Sequence, residues 1–368
     1  DGTLPAGTTA RDFDFGGGEE MLLGRGTLGR VFLARHRGND QFYAVKRISK
    51  EEIVRRRNMD GVLRERDLLA AVSSPYIVHL FGALQDDRYV YLVLSYAVGG
   101  ELYTLMEQRR RLPEDVAKFY FVEVAWALQY LHNDQHVAFR DVKPENVLID
   151  ADGHVRLVDF GFAVRITGGD AEGTALPPDM GCGTSQYMAP ELVSGKDAHG
   201  FDVDWWALGC VLYEMCALRH AFDGDSNAAV MWSVLQGEYE PIPSRYDDEV
   251  AGLLADMLTI DPRARPSMAE LKLRPVVQAH LRLLGLEALP SARTPAPVLR
   301  RTGSADSIEL DIDTSVADDA AAAAAAHRRR QRRQAGRSAR RRRRRRRRCW
   351  STTTPPPHRT TPRAAAPA

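Results

Sequence analysis

Cysteine is scarce: four residues in 368, at positions 182, 210, 216 and 349. Their spacing offers neither the paired ligands of a zinc site nor the framework of a disulfide-stapled secreted domain, so both classes are excluded. No apolar run is long enough to span a bilayer, and no secretory leader is recognisable. These absences predict a reducing compartment, cytoplasmic or nuclear, in which the thiols stay silent. Methionine is missing at position 1, where the chain starts with Asp1, so a fragment of a longer protein is expected.

Negative charge runs short in one part of the chain and positive charge in the other. The net charge is +1, but residues 286–368 hold 20 arginines against 7 acidic residues, a balance of +13. Residues 1–285 hold 30 basic and 42 acidic side chains, a balance of −12. An acidic body suits basic ligands. The other part contains Ala320 to Ala326 and an unbroken run from Arg340 to Arg348. Such a composition cannot bury a core, so residues 286–368 are expected to form a disordered Ala/Arg/Pro-rich tail. Three roles for it stay open. It would bind nucleic acid or anionic lipid by counterion release, fold back on the acidic body as an inhibitor, or have no selected role.

What is present is concentrated in short stretches. Phe139-Arg140-Asp141-Val142-Lys143-Pro144-Glu145-Asn146 sets a proton acceptor, cations and a metal-binding amide close together. Thirteen residues after Asn146 comes Asp159-Phe160-Gly161, a second carboxylate followed by a glycine. Phosphoryl transfer needs positioning and charge neutralisation more than covalent help, and these residue types supply both. Upstream, Leu23-Gly24-Arg25-Gly26-Thr27-Leu28-Gly29-Arg30-Val31 fits G-x-G-x-x-G, in which bare backbone can approach phosphate oxygens. The same glycines open dinucleotide-binding folds, but there a helix follows. Here Val31-Phe32-Leu33-Ala34 reads as a strand, which favours a hairpin over the phosphates. Tyr43-Ala44-Val45-Lys46 is a short apolar strand ending in lysine, and nineteen residues on Glu65 lies in a helical pattern. A Lys46–Glu65 ion pair would hold the lysine on the α- and β-phosphates.

In this order, the motifs over residues 13–285 resemble the eukaryotic protein kinase family. The resemblance implies an α+β, two-lobed fold: an antiparallel β N-lobe with one main helix, and a mostly helical C-lobe. The implied division is a flexible lead-in over 1–18 and a kinase domain over 19–285, with the N-lobe about 19–94 and the C-lobe about 97–285. ATP and Mg2+ are the implied cofactors. Asp141 would be the catalytic base and Lys143 would steady the γ-phosphate. Asn146 and Asp159 would hold the metal. Leu23, Gly24, Gly26, Gly29, Val31, Ala44, Lys46, Glu65, Leu94 at the gatekeeper position and Ala97 would form the nucleotide site. Met188-Ala189-Pro190-Glu191 would close the activation segment, with Arg265 paired to Glu191. Phe139, where most kinases carry histidine, would stack in a hydrophobic spine with Phe160, Leu69 and Leu80.

Finer detail is similar to the AGC group of serine/threonine kinases, especially its cyclic-nucleotide-dependent members. Gly99-Gly100-Glu101-Leu102, Asp159-Phe160-Gly161-Phe162-Ala163, Cys182-Gly183-Thr184 and Asp204-Trp205-Trp206-Ala207-Leu208-Gly209 carry that likeness. Glu101, Glu145 and Glu214 match the positions at which basophilic relatives grip substrate arginines, so protein substrates with basic motifs are implied. A regulatory subunit or domain outside this chain is implied too. Two departures stand out. Met180 occupies the position of the activation-loop phosphothreonine, leaving Thr167, Thr174 or the fixed charge of Asp179 to serve Arg140, with Thr184 following. No Phe-x-x-Phe motif follows Leu281. Arg301 precedes Ser304 by three residues, and Thr302 and Ser304 form a candidate autophosphorylation site. The alternatives are an ATP-binding pseudokinase or scaffold, and a kinase module with a nucleic-acid-binding tail. Against a pseudokinase stands the full set Lys46, Glu65, Asp141, Asn146 and Asp159.

Overall fold

The computed structural model describes residues 4–16, 21–26, 29–109, 112–166, 183–195 and 199–283. β-Branched and aromatic stretches at the N-terminal end form six strands: β1 (Phe13–Asp14), β2 (Leu22–Arg25), β3 (Gly29–His36), β4 (Phe42–Ser49), β5 (Leu80–Gln85) and β6 (Tyr89–Leu94). They make one antiparallel sheet in the order β1–β3–β4–β6–β5, with β2 also pairing β3. Central β4 buries Tyr43, Ala44, Val45, Lys46 and Ile48, so it has no alternation to read. Two helices interrupt the sheet, α1 (Lys50–Arg56), capped by Ser49, and α2 (Met59–Ala71). α2 turns Val62, Glu65, Leu68 and Leu69 inward.

The sheet begins earlier than the expected residue 19. Thr9 and Asp12 form a capping box around a turn of 3-10 helix, and Phe13 then pairs with His36. Its ring is buried edge-on to His36 and Tyr43, with centroids 5.1 and 5.9 Å away. A two-residue strand is too short to show a periodicity in the sequence. The expected tail, 286–368, lies outside the described residues.

After the sheet come β7 (Gly100–Glu101), α3 (Leu102–Arg109), α4 (Glu114–Asn133), β8 (Val137–Ala138), β9 (Val147–Ile149), β10 (Val155–Leu157), β11 (Val164–Arg165) and α5 (Pro190–Ser194). Then follow α6 (Asp202–Ala217), α7 (Asn227–Gln236), α8 (Asp248–Met257), α9 (Met268–Leu271) and α10 (Pro275–Leu283). α4 starts directly after Pro113, with Glu114 and Asp115 against the positive end of its dipole. Val116, Phe119, Tyr120, Val124, Ala127, Leu128 and Leu131 recur along it at helical spacing, and all are buried except Val116 and Phe119, which are partly buried. α6 is buried on every side from Val203 to Cys216, the signature of a central helix. Among the described residues, no helix is long and apolar enough to cross a membrane.

Arg265 fastens this half together. Its guanidinium donates to both oxygens of Glu191 at 2.7 and 2.8 Å and to the carbonyls of Thr259, Ile260 and Asp202 at 2.9, 3.1 and 2.9 Å. It also lies over the Trp206 ring, 5.0 Å from the centroid. Two small sheets, β10–β9–β7 and β11–β8, place the 139–146 loop between β8 and β9 and Asp159 just after β10.

Candidate active site

Strand register builds the first wall of the site. Lys46 stands opposite Val31, and Ala44 lies opposite Leu33 on one side and Leu94 on the other. Ala44 and Lys46 are two residues apart and so face the same side of the sheet. Val31, Ala44 and Leu94 share one apolar cluster, and Ala97 is buried just beyond β6. Leu23 is exposed on β2, beside a bulge before Gly24. The three glycines have two different causes. A Cβ at Gly29 would sit 2.6 Å from the Arg47 carbonyl, so this glycine is required by its neighbour strand. Gly24 has nothing within 4 Å and Gly26 only the Gly29 carbonyl at 3.8 Å, leaving open space for a bulky group.

Lys46 is the junction between the lobes. Its Nζ donates to Glu65 Oε1 at 2.6 Å and to Asp159 Oδ1 at 2.9 Å. Burial works against the ammonium, but the two carboxylates prevail and hold its pKa above the usual lysine value. Burial pushes the Glu65 carboxyl up, with Lys46 pulling the other way. Asp159 is held low because Lys46 and the Gly161 N–H outweigh its burial. Behind it, Phe160 meets Phe139 edge-on with centroids 5.2 Å apart, both buried with Leu69 and with Leu80 against the same cluster. Phe139 therefore meets Phe160 as the family resemblance implied.

The catalytic-loop candidates converge on Asp141. Asn146 Nδ2 donates to the Asp141 carbonyl and to its Oδ2, both at 2.8 Å. Lys143 Nζ reaches Asp141 Oδ2 and Thr184 Oγ1, both at 2.9 Å. The loop is held by a residue that no motif marked as part of the site. Asp204, fully buried at the start of α6, accepts the backbone N–H groups of Phe139 at 2.8 Å and Arg140 at 2.7 Å. His132 Nε2 lies 2.8 Å from the same carboxylate. That grip supports Arg140 at φ 66°, a left-handed conformation unusual for a non-glycine residue. Gly183 has φ 95°, and a Cβ there would sit 3.0 Å from the Arg140 carbonyl, so only glycine fits.

The residues fit a hard divalent cation. Asn146 commits its Nδ2 twice to Asp141, which leaves Oδ1 as its free oxygen, while Lys46 and Gly161 both use Oδ1 of Asp159 and leave Oδ2. An amide oxygen and a carboxylate oxygen are magnesium-type donors. The Val158 N–H donates to the Asn146 carbonyl at 3.0 Å, which keeps the two donors on adjoining segments.

Of Glu101, Glu145 and Glu214, Glu145 lies within electrostatic reach of Glu101, and Glu145 and Glu214 both act on Tyr187. Glu101 pairs with Leu148 across β7 and β9, three residues from Glu145. Partial burial and the charge of Glu145 both push the Glu101 carboxyl up. Glu145 Oε2 is shielded from solvent and has no hydrogen-bond partner among the described residues. Glu214 accepts the Tyr187 hydroxyl at 2.5 Å and has His220 Nδ1 3.6 Å away. Asp204, Tyr187 and His220 escaped the sequence reading because their partners lie far along the chain or off any local pattern. Only the Asp-Trp-Trp motif pointed near Asp204. Thr167 and Thr174, the candidates to carry the Arg140 phosphate, Asp179, the candidate to imitate it, and Met180 lie outside the described residues, as do Thr302 and Ser304.

A two-lobed fold with a lysine–glutamate–aspartate junction and an Asp–Lys–Asn loop defines a phosphotransferase scaffold of the kinase class. The model of the protein kinase domain matches residues 18–277, and the chain belongs to that family. It is 37% identical over 257 residues to the cAMP-dependent protein kinase catalytic subunit of Arthrobotrys oligospora, covering 69% of this chain and 46% of that protein. It is 38% identical over 242 residues to cAMP-dependent protein kinase type 3 of Saccharomyces cerevisiae, covering 65% and 57%. Identity to the human cAMP-dependent protein kinase catalytic subunit PRKX is 35% over 243 residues, covering 66% and 65%. The chain thus spans about half the length of the first two relatives.

Proposed function

We propose that the chain is an active serine/threonine kinase of the cAMP-dependent type, transferring the γ-phosphoryl of ATP to hydroxyls in proteins with arginine upstream of the acceptor. The observation that carries this is the Lys46 junction, a cation already bridged to Glu65 and Asp159 and so placed for nucleotide phosphates. Magnesium, held by Asn146 and Asp159, would supply neutralisation of phosphate charge. Asp141, braced by Asn146 and Lys143, would accept a hydrogen bond from the substrate hydroxyl and take its proton as the phosphoryl group moves. Lys143 would steady the transferring group while keeping Thr184 and Asp141 in register. Val31, Ala44, Leu94 and Ala97 would line the adenine pocket, with Leu23, Gly24 and Gly26 closing over the phosphates. Asp204 would keep Asp141 in place through the loop backbone.

Glu145 supports the basic-substrate part of the reading. A shielded carboxylate oxygen without a donor costs stability unless a ligand satisfies it, and a guanidinium does so bidentately. Glu101 and Glu214 add negative charge around it. The test compares phosphate transfer to a peptide with two arginines before its serine against an arginine-free control, using wild type and Glu145→Gln. Preference for the basic peptide that collapses in Glu145→Gln is expected. Equal transfer to both peptides in wild type would contradict it.

A further inference from the structure

His220 is an unassigned ionisable group standing on the substrate face. It follows α6 in sequence, with its side chain one third exposed, whereas that of Glu214 is 7% exposed. His220 Nδ1 is 3.6 Å from Glu214 Oε2, beyond hydrogen-bond reach, and its ring stands edge-on to Tyr187 with centroids 5.7 Å apart. Tyr187 donates to that same Glu214 oxygen. The charged groups acting on the imidazole are Glu214 from α6, Asp223 from the loop after it and Glu145 from the catalytic loop, all negative. The neighbouring cation, Arg219, is turned away, paired with Glu240 and lying 5.9 Å from the Tyr213 centroid.

We infer that His220 is a specificity-determining residue whose protonation closes the Glu214 subsite to a substrate cation, making recognition of basic peptides pH-dependent. Neutral imidazole leaves the Glu214 carboxylate with one donor, the Tyr187 hydroxyl, and with capacity to accept further hydrogen bonds from a guanidinium. Imidazolium brings a positive charge within a slight ring shift of Glu214, satisfies the carboxylate and repels an incoming arginine. The three carboxylates raise the proton affinity of His220, Glu214 most of all, so the switch operates at or above the ordinary histidine value of 6.5. This rests on the reading of Glu214 as part of a basic-substrate site.

The experiment is a pH profile of KM and kcat with the basic peptide and an arginine-free peptide. Wild type, His220→Gln and His220→Lys are compared. Simple competition by a proton predicts that wild-type KM for the basic peptide rises about tenfold from about pH 7.5 to about pH 5.5. In His220→Gln that rise should disappear, and in His220→Lys KM should be raised at both ends. The arginine-free peptide should show no His220-dependent change, and kcat should not follow KM. A His220→Gln profile that rises as steeply as wild type overturns the inference, as does a His220→Lys KM equal to wild type at about pH 7.5. If wild type uses both peptides equally at every pH, the basic-substrate reading has failed instead, and the role of His220 falls with it.

Discussion

Asp204 shows how much of this site depends on a side chain that touches no reacting atom. Its two oxygens hold the amides of Phe139 and Arg140 and face His132. Asp204→Asn would turn a donor toward a buried N–H, and leaving that group unsatisfied should cost about 1–3 kcal/mol by chemical denaturation. Turnover should fall with it, because Asp141 follows directly in the chain. A variant of wild-type stability and turnover would show that the loop does not need this anchor. His220 gives a prediction with a definite sign. Glu214 raises its folded pKa, so the protonated form is favoured by folding. That contribution is complete below the ordinary value and is lost as pH rises through the folded one. Wild type should therefore exceed His220→Gln in Tm at about pH 5.5 and lose that margin at about pH 8.5. A margin independent of pH would contradict the pairing. Lys46, Glu65, Asp141, Asn146 and Asp159 were legible because each sits in a short motif. Tyr187 and His220 were not, since nothing local marks a residue that meets Glu214 across 27 positions or from the end of its helix.

At the scale of elements, the Arg265–Glu191 pair ties α5 to the turn before α9 and to the start of α6. Both side chains are buried, and every direction of the guanidinium is occupied by an oxygen or the Trp206 ring. Arg265→Ala leaves Glu191 charged and unpaired, which should cost about 3–5 kcal/mol. A loss within about 1 kcal/mol, the level of an exposed pair, would mean that the buried geometry is not what holds α5. The pair was legible as an expectation from family resemblance, but not its four further contacts. α4 was legible because its apolar stripe has helical spacing over 20 residues. α6 was not, because a helix buried on all sides carries no polar face to set the period. β1 escaped for the opposite reason, being too short to show a pattern at all.

At the scale of the whole chain, charge is divided rather than balanced. The acidic body predicts that KM for a basic peptide rises with ionic strength while that for a neutral peptide does not, since screening shortens with salt to about 3 Å at 1 M. Of the three roles open to the tail, polyanion binding through the arginine run predicts retention on RNA with a steep salt dependence, abolished by deleting residues 327–349. Retention that survives the deletion would remove the tail from that role.

The central claim is that this site transfers phosphate. The most direct test follows ATP binding by calorimetry and phosphate transfer from Mg-ATP to an arginine-containing peptide, in wild type and Asp141→Asn. The expected result is ATP binding in both and transfer lowered roughly 10²–10⁴-fold in the variant, the range for a lost general base. Wild type that binds ATP without transferring phosphate, or a variant with near-normal turnover, would contradict the account.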